Sequence, residues 1–191
     1  MELDVQFTPW QQQVYNDQAR FKVVAAGRRC GKSYLAAWTL LINALQSNKG
    51  WTIYVAPTQN QARQILWRQL LEIAHPVIKK SHINNLDIEL INGQTIGLRG
   101  SDRPDTMRGL SLNYVVLDEY ADMKPEVFEE ILRPALSDLE GPALFIGTPK
   151  GRNHFYDLYK YGELSEDPEW SSYHFTSYDN PFLKKEEINA A

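Results

Sequence analysis

The stretch Ala25-Ala26-Gly27-Arg28-Arg29-Cys30-Gly31-Lys32-Ser33 joins a flexible turn to an ammonium group and a hydroxyl. It follows the apolar run Phe21-Lys22-Val23-Val24 and leads into Tyr34-Leu35-Ala36-Ala37-Trp38. The order is strand, glycine-containing turn, helix, with Gly-Lys-Ser at the helix start. Such a turn cradles phosphate, because its backbone N–H groups and the helix N-terminus point at an anion that the helix dipole favours. There Lys32 would reach the β- and γ-phosphates of ATP, and Ser33 would offer its hydroxyl to Mg²⁺. The spacing G-x-x-x-x-G-K-S asks for its first glycine at residue 26, which is Ala26, with Gly27 beside it. Taken alone, the stretch reads equally well as an ordinary strand-to-helix turn.

Further segments bear on that choice. Tyr114-Val115-Val116-Leu117-Asp118-Glu119 is an apolar run that ends in two carboxylates. At the end of a central strand, Asp118 would face the phosphate turn and hold Mg²⁺ through its water shell. Glu119 would point differently and polarise the attacking water. Read in isolation, the pair is a strand end with solvated charges. Ala143-Leu144-Phe145-Ile146-Gly147-Thr148-Pro149 is a second such run, and ligands of doubly wound sheets sit at strand carboxyl ends. Thr148 is therefore expected beside the γ-phosphate, although Gly and Pro alone would explain a turn there. Ahead of the first strand, the Gln11 amide offers a donor and an acceptor that suit an adenine edge, and Phe7 an aromatic face. A solvated glutamine at a helix start is the competing reading.

The elements that must position these groups alternate. Val23–Ala26, Trp51–Ala56, Tyr114–Leu117 and Ala143–Ile146 read as strands covered on both faces. Helical patterns at Ser33–Gln46, Gln59–Ala74 and Pro125–Leu139 separate them. The alternation predicts an α/β fold with a mostly parallel sheet flanked by helices. Residues 86–99 alternate about Asn92-Gly93, which predicts an antiparallel hairpin at one sheet edge. Residues 100–113 read as an irregular loop, Phe155–Tyr161 as a short helix and Tyr173–Tyr178 as one more strand. From Asp179 the chain turns polar, as the start of a linker helix would.

A length of 191 residues suits one domain, or one plus a fragment of another, and 43% hydrophobic with 23% charged residues is an ordinary soluble globular composition. The apolar stretch from Leu35 to Leu45 is too short to span a bilayer, and no secretory signal is visible. A single cysteine, Cys30, excludes an intrachain disulfide and fits a reducing compartment. The net charge of −4 argues against a globally basic nucleic-acid binder.

Five segments together resemble the ATPase domain of the large terminase subunit of tailed phages. They are Phe-Thr-Pro-Trp-Gln (7–11), Ala-Gly-Arg-Arg-Cys-Gly-Lys-Ser (26–33), Met-Arg-Gly-Leu-Ser (107–111), Val-Val-Leu-Asp-Glu (115–119) and Ile-Gly-Thr-Pro-Lys-Gly (146–151). The family's variant of the phosphate loop often lacks the first glycine and carries basic residues, so Ala26 fits it. The resemblance implies a P-loop NTPase of the additional-strand, catalytic-glutamate type that uses ATP and Mg²⁺. Gln11 matches the adenine contact; Ala26, Gly27, Cys30, Gly31, Lys32 and Ser33 match the phosphate turn. Asp118 and Ser33 match the metal-associated groups, Glu119 the catalytic glutamate and Thr148 the coupling motif. Arg28 or Arg29 matches an arginine that senses the γ-phosphate. Arg108 matches an arginine that reaches a neighbouring subunit, a role for which Arg99, Arg103, Arg133 and Arg152 compete.

The resemblance further implies double-stranded DNA, a portal protein and a small terminase subunit as partners, in the host cytoplasm and without a membrane. It implies a homo-oligomeric ring when assembled, with a monomer open for the isolated domain. Residues 1–178 would form the ATPase domain and 179–191 begin a linker toward a nuclease domain that this chain lacks. A helicase-like remodelling ATPase and a slow ATP-binding switch are the alternatives. Cys30 reads either as a low-pKa thiol at a helix N-terminus or as a small loop residue. The tryptophans read as packing, and Lys79 and Lys80 as solvated charges.

Overall fold

The computed structural model describes residues 5–183 and 186. One sheet organises it, with strand order β3-β4-β5-β2-β6-β7-β1-β8. The strands are β1 (Phe21–Ala26), β2 (Trp51–Ala56), β3 (Ile78–His82), β4 (Asp87–Leu90), β5 (Thr95–Gly100), β6 (Leu112–Asp118), β7 (Ala143–Gly147) and β8 (Trp170–Phe175). From β5 to β8 every pairing is parallel, whereas β3–β4 and β4–β5 pair antiparallel. The predicted hairpin is present at that edge. β5 is also a parallel neighbour of β2, so the hairpin is grafted onto the main sheet.

Alternate strand residues feed two cores. Val24, Ala26, Tyr54, Val116 and Ile146 face α1 (Pro9–Asn16) and α2 (Lys32–Gln46). The same core takes in α3 (Gln59–Ala62) and α4 (Arg68–Ala74), which are joined by a π-turn over Arg63–Trp67. Val23, Val55, Val115, Leu117 and Phe145 face the other way. They meet Phe128, Ile131 and Leu132 of a second π-turn (Val127–Leu132), Leu136 of α5 (Arg133–Ser137) and Phe155 of α6 (His154–Leu164). Each fully buried Val, Leu or Ile contributes about 1.5–3 kcal/mol, so a sheet covered on both faces holds its strand ends rigidly.

Two expectations shift. The helix expected over Pro125–Leu139 begins as the Val127–Leu132 π-turn, and Pro134 lies just beyond it. Pro134 has no N–H to donate and its ring crowds the carbonyl four residues back, which the widened turn accommodates. The last strand is Trp170–Phe175 rather than Tyr173–Tyr178, since it pairs with β1 from Phe21↔Trp170 onward. The polar tail expected to begin a linker helix lies mostly outside the described residues. Among those residues, no helix is long and apolar enough to cross a membrane.

Candidate active site

Three adjacent strands, β6, β7 and β1, end side by side and deliver the three motifs to one place. The turn after β1 reaches α2 through Gly31, whose φ of 97° only glycine adopts without cost. An open cleft there is lined by Arg28, Arg29, Lys32, Ser33, Glu119 and Thr148, together with Cys30, Gly31, Tyr34, Pro149 and Lys150. Thus residues that stand far apart in the chain, at 28–33, 119 and 148, share one wall.

The groups are hydrogen-bonded to one another. The Lys32 ammonium donates to the Ala26 and Gly27 carbonyls, each at 2.9 Å, and to the Thr148 hydroxyl at 3.1 Å. That hydroxyl donates in turn to the Glu119 carboxylate at 3.3 Å. The Lys150 ammonium approaches the other Glu119 oxygen to 3.6 Å and also bonds Asp122. Burial lowers the Lys32 pKa, while the Glu119 and Asp118 charges oppose that shift. Glu119 itself has a left-handed backbone (φ 53°, ψ 45°) immediately after β6.

Asp118 lies at the end of β6, 3% exposed. It accepts from the Tyr54 hydroxyl at 2.5 Å and from the Glu119 N–H at 2.9 Å. Burial pushes its carboxyl up to about 6, with the Tyr54 hydrogen bond and Lys32 pulling the other way. Burial and the Asp118 charge drive the Tyr54 hydroxyl well above the usual phenol range. Tyr54 escaped the sequence reading. Its signal was a phenol in the middle of a buried strand, which needs a partner.

Two predicted residues sit differently. The Gln11 amide, expected on an adenine edge, is committed inside the protein and 2% exposed. Its oxygen accepts from the Thr8 N–H and its nitrogen donates to the Gly31 carbonyl, each at 2.9 Å. Gln11 therefore braces α1 against the turn between β1 and α2. Arg108 is off the cleft wall, exposed and paired with Asp105 at 2.8 Å. It lies on the loop that returns from the carboxyl end of β5 to the start of β6. Among its competitors, Arg99 is locked to Asp87 at 2.7 Å, with its side chain 11% exposed. The Cys30 thiol is buried and donates to the Thr176 carbonyl, and burial raises its pKa, contrary to the reactive-thiol reading.

The family model described as "Terminase large subunit, T4likevirus-type, N-terminal" matches residues 23–190. The chain belongs to the large terminase subunit family. It is 32% identical over 177 residues to the terminase large subunit of Escherichia phage T5, covering 90% of this chain and 40% of that protein. This terminase chain therefore spans well under half the length of that relative. Its fold is that of the large terminase ATPase domain of Thermus phage P74-26, with a TM-score of 0.82, 24% identity, and 98% and 92% of the two chains covered. The large terminase of a thermophilic bacteriophage, solved in complex with ATP-gamma-S, shares the fold at a TM-score of 0.76 and 20% identity, over 95% of this chain and 48% of that one.

Proposed function

We propose that this terminase domain hydrolyses ATP and that the hydrolysis drives double-stranded DNA into a capsid. The observation that carries this reading is the Lys32–Thr148–Glu119 relay across the ends of three neighbouring strands. It joins a phosphate-binding cation to a carboxylate general base through one hydroxyl. The P74-26 relative is described as an ATPase domain, and the thermophilic phage relative holds ATP-gamma-S.

In this reading the N–H groups of residues 28–33 and the Lys32 ammonium take the β- and γ-phosphates. Glu119 removes a proton from the attacking water. The water oxygen bonds to the γ-phosphorus as the bond to the β–γ bridging oxygen breaks, which releases ADP and phosphate. The Ser33 hydroxyl is a hard oxygen donor of the kind Mg²⁺ prefers and would hold it, and the buried Asp118 carboxylate would hold it through its water shell. Bound there, the ion would neutralise phosphate charge. Thr148, bonded to both Lys32 and Glu119, is placed to sense loss of the γ-phosphate. Arg28 and Arg29 supply exposed guanidinium groups on the same wall. Exposed Arg108 suits a finger given to the next subunit of a ring. Portal and small-subunit contacts belong to the same proposal.

Steady-state ATP hydrolysis over a range of protein concentrations tests it. Glu119→Gln is expected to lower turnover by about 10²–10⁴-fold while nucleotide still binds. The specific rate is expected to climb with concentration for the unmodified chain and to stay flat for Arg108→Ala. Equal turnover by Glu119→Gln and the unmodified protein would end the catalytic reading.

A further inference from the structure

After β8 the chain folds back over the phosphate turn. The Gly27 N–H donates to the Phe175 carbonyl at 3.1 Å, and the Cys30 thiol to the Thr176 carbonyl at 3.2 Å. The Ser177 hydroxyl donates to the Arg28 carbonyl at 3.0 Å, and the Asn180 amide to the Arg29 carbonyl at 2.6 Å. The strap is itself braced. The Asp179 carboxylate accepts from the Thr176 N–H at 2.6 Å and from its hydroxyl at 3.0 Å. The Asn180 oxygen accepts from the Phe182 N–H at 3.0 Å, which fixes the amide with its nitrogen toward Arg29. Gly27 packs so closely that a β-carbon would lie 3.0 Å from the Ser177 hydroxyl.

These bonds have a geometric consequence. A trans peptide is planar, so its C=O and the following N–H point in opposite directions. Drawing the Arg28 and Arg29 carbonyls toward the strap turns the N–H groups of Arg29 and Cys30 away from it. Arg29 meanwhile holds a left-handed backbone (φ 56°), which a side-chain-bearing residue keeps only when its surroundings over-determine it. The Asn180 bond falls on this residue.

We propose that Ser177 and Asn180 are positioning residues for nucleotide binding. They hold the Arg28–Arg29 peptides in the left-handed turn that frees its N–H groups for phosphate and sets both guanidinium groups on the cleft. The proposal rests on the reading of residues 26–33 as a phosphate site. It extends that site to a segment of the chain with no motif of its own.

The test uses the whole chain, a fluorescent ADP with Mg²⁺ as the probe, and thermal melting alongside. Asn180→Asp keeps the acceptor for Phe182 and loses the donor to Arg29. It is expected to weaken ADP binding by about 2- to 12-fold, the range set by the net worth of one hydrogen bond. In an Arg29→Gly background, where the left-handed turn is relaxed, the same change is expected to cost less than about twofold. Ser177→Ala is expected to weaken binding within the same range, and it decides the matter if Asn180→Asp does not fold. Unchanged affinity with only a lowered melting temperature would overturn the proposal, as would an equal loss in the Arg29→Gly background. If Lys32→Ala binds ADP as tightly as the unmodified chain, the phosphate-site reading itself falls and the proposal with it.

Discussion

Asp118→Asn should stabilise the domain when nucleotide and metal are withheld. The carboxyl is almost wholly buried and its pKa is raised from 3.8 to about 6, chiefly by burial. The folded state thus holds this proton more tightly than the unfolded chain does, so ionising Asp118 opposes folding. The cost is absent well below pH 4, grows as pH rises between about 4 and 6, and is complete above that window. A shift of about two units corresponds to about 3 kcal/mol. Asparagine carries no charge and avoids this cost, but its single oxygen accepts from only one of the Tyr54 hydroxyl and the Glu119 N–H while its NH₂ faces the other, a loss of about 1 kcal/mol. The balance favours the variant by about 2 kcal/mol at pH 7.5, or about 4–8 °C in melting temperature for a domain of this size. As pH falls the wild-type carboxyl regains its proton, and the advantage should shrink to nearly nothing by about pH 4.5. Differential scanning of both proteins in EDTA, from pH 4.5 to 7.5, reads the difference directly, since contributions common to the two cancel. Added Mg²⁺ and ADP should reverse the order, because the wild type gains binding free energy that the variant forgoes. A variant less stable at pH 7.5, or a difference flat with pH, would refute the reasoning.

Two further outcomes follow from buried groups. Arg99→Ala leaves Asp87 charged and unpaired beneath the β4–β5 edge; a loss of about 3–5 kcal/mol is expected in denaturant unfolding, and a loss under about 1 kcal/mol would show the pair to be solvated. The Cys30 thiol, 1% exposed and raised in pKa by burial, should resist iodoacetamide in the native protein at pH 7.5 and react once the chain is denatured; rapid native labelling would contradict its place under the strap.

What the sequence made legible follows from how each residue works. Strands such as Trp51–Ala56 announce themselves because both faces are covered and the run is apolar throughout. β3 gives no such sign, since Lys79, Lys80 and Ser81 on the sheet edge are exposed and its pairing is set by β4. β8 was displaced because Ser171 and Ser172 interrupt its apolar pattern, while its register is dictated by β1. Lys32, Ser33, Glu119 and Thr148 were singled out because phosphate chemistry constrains local spacing, and they share one cleft wall. Tyr54, Ser177 and Asn180 act on Asp118, Arg28 and Arg29 through tertiary contacts, and no spacing rule links residue 54 to 118 or residue 180 to 29. Gln11 was singled out for its amide, but which partner that amide takes depends on how α1 packs against the turn.

The backbone at Glu119 explains how two consecutive acids come to lie on one side of the sheet. Successive strand residues point to opposite faces of a sheet. Val116 and the Tyr54 partner of Asp118 belong to the core beneath α2, whereas Val115 and Leu117 belong to the opposite core. Continued alternation would send Glu119 to the far face, away from Lys32. The left-handed conformation ends the alternation at that residue and lets its carboxylate meet Thr148 beside Lys32. Arg29, on the same wall, shares that conformation, and each such residue costs on the order of 1–3 kcal/mol. The strain persists at Glu119 because its N–H is fixed to Asp118 and its carboxylate to Thr148, and at Arg29 because its carbonyl is held by Asn180. A glycine at either position would relieve the strain, but it would also remove the carboxylate or the guanidinium from the cleft wall.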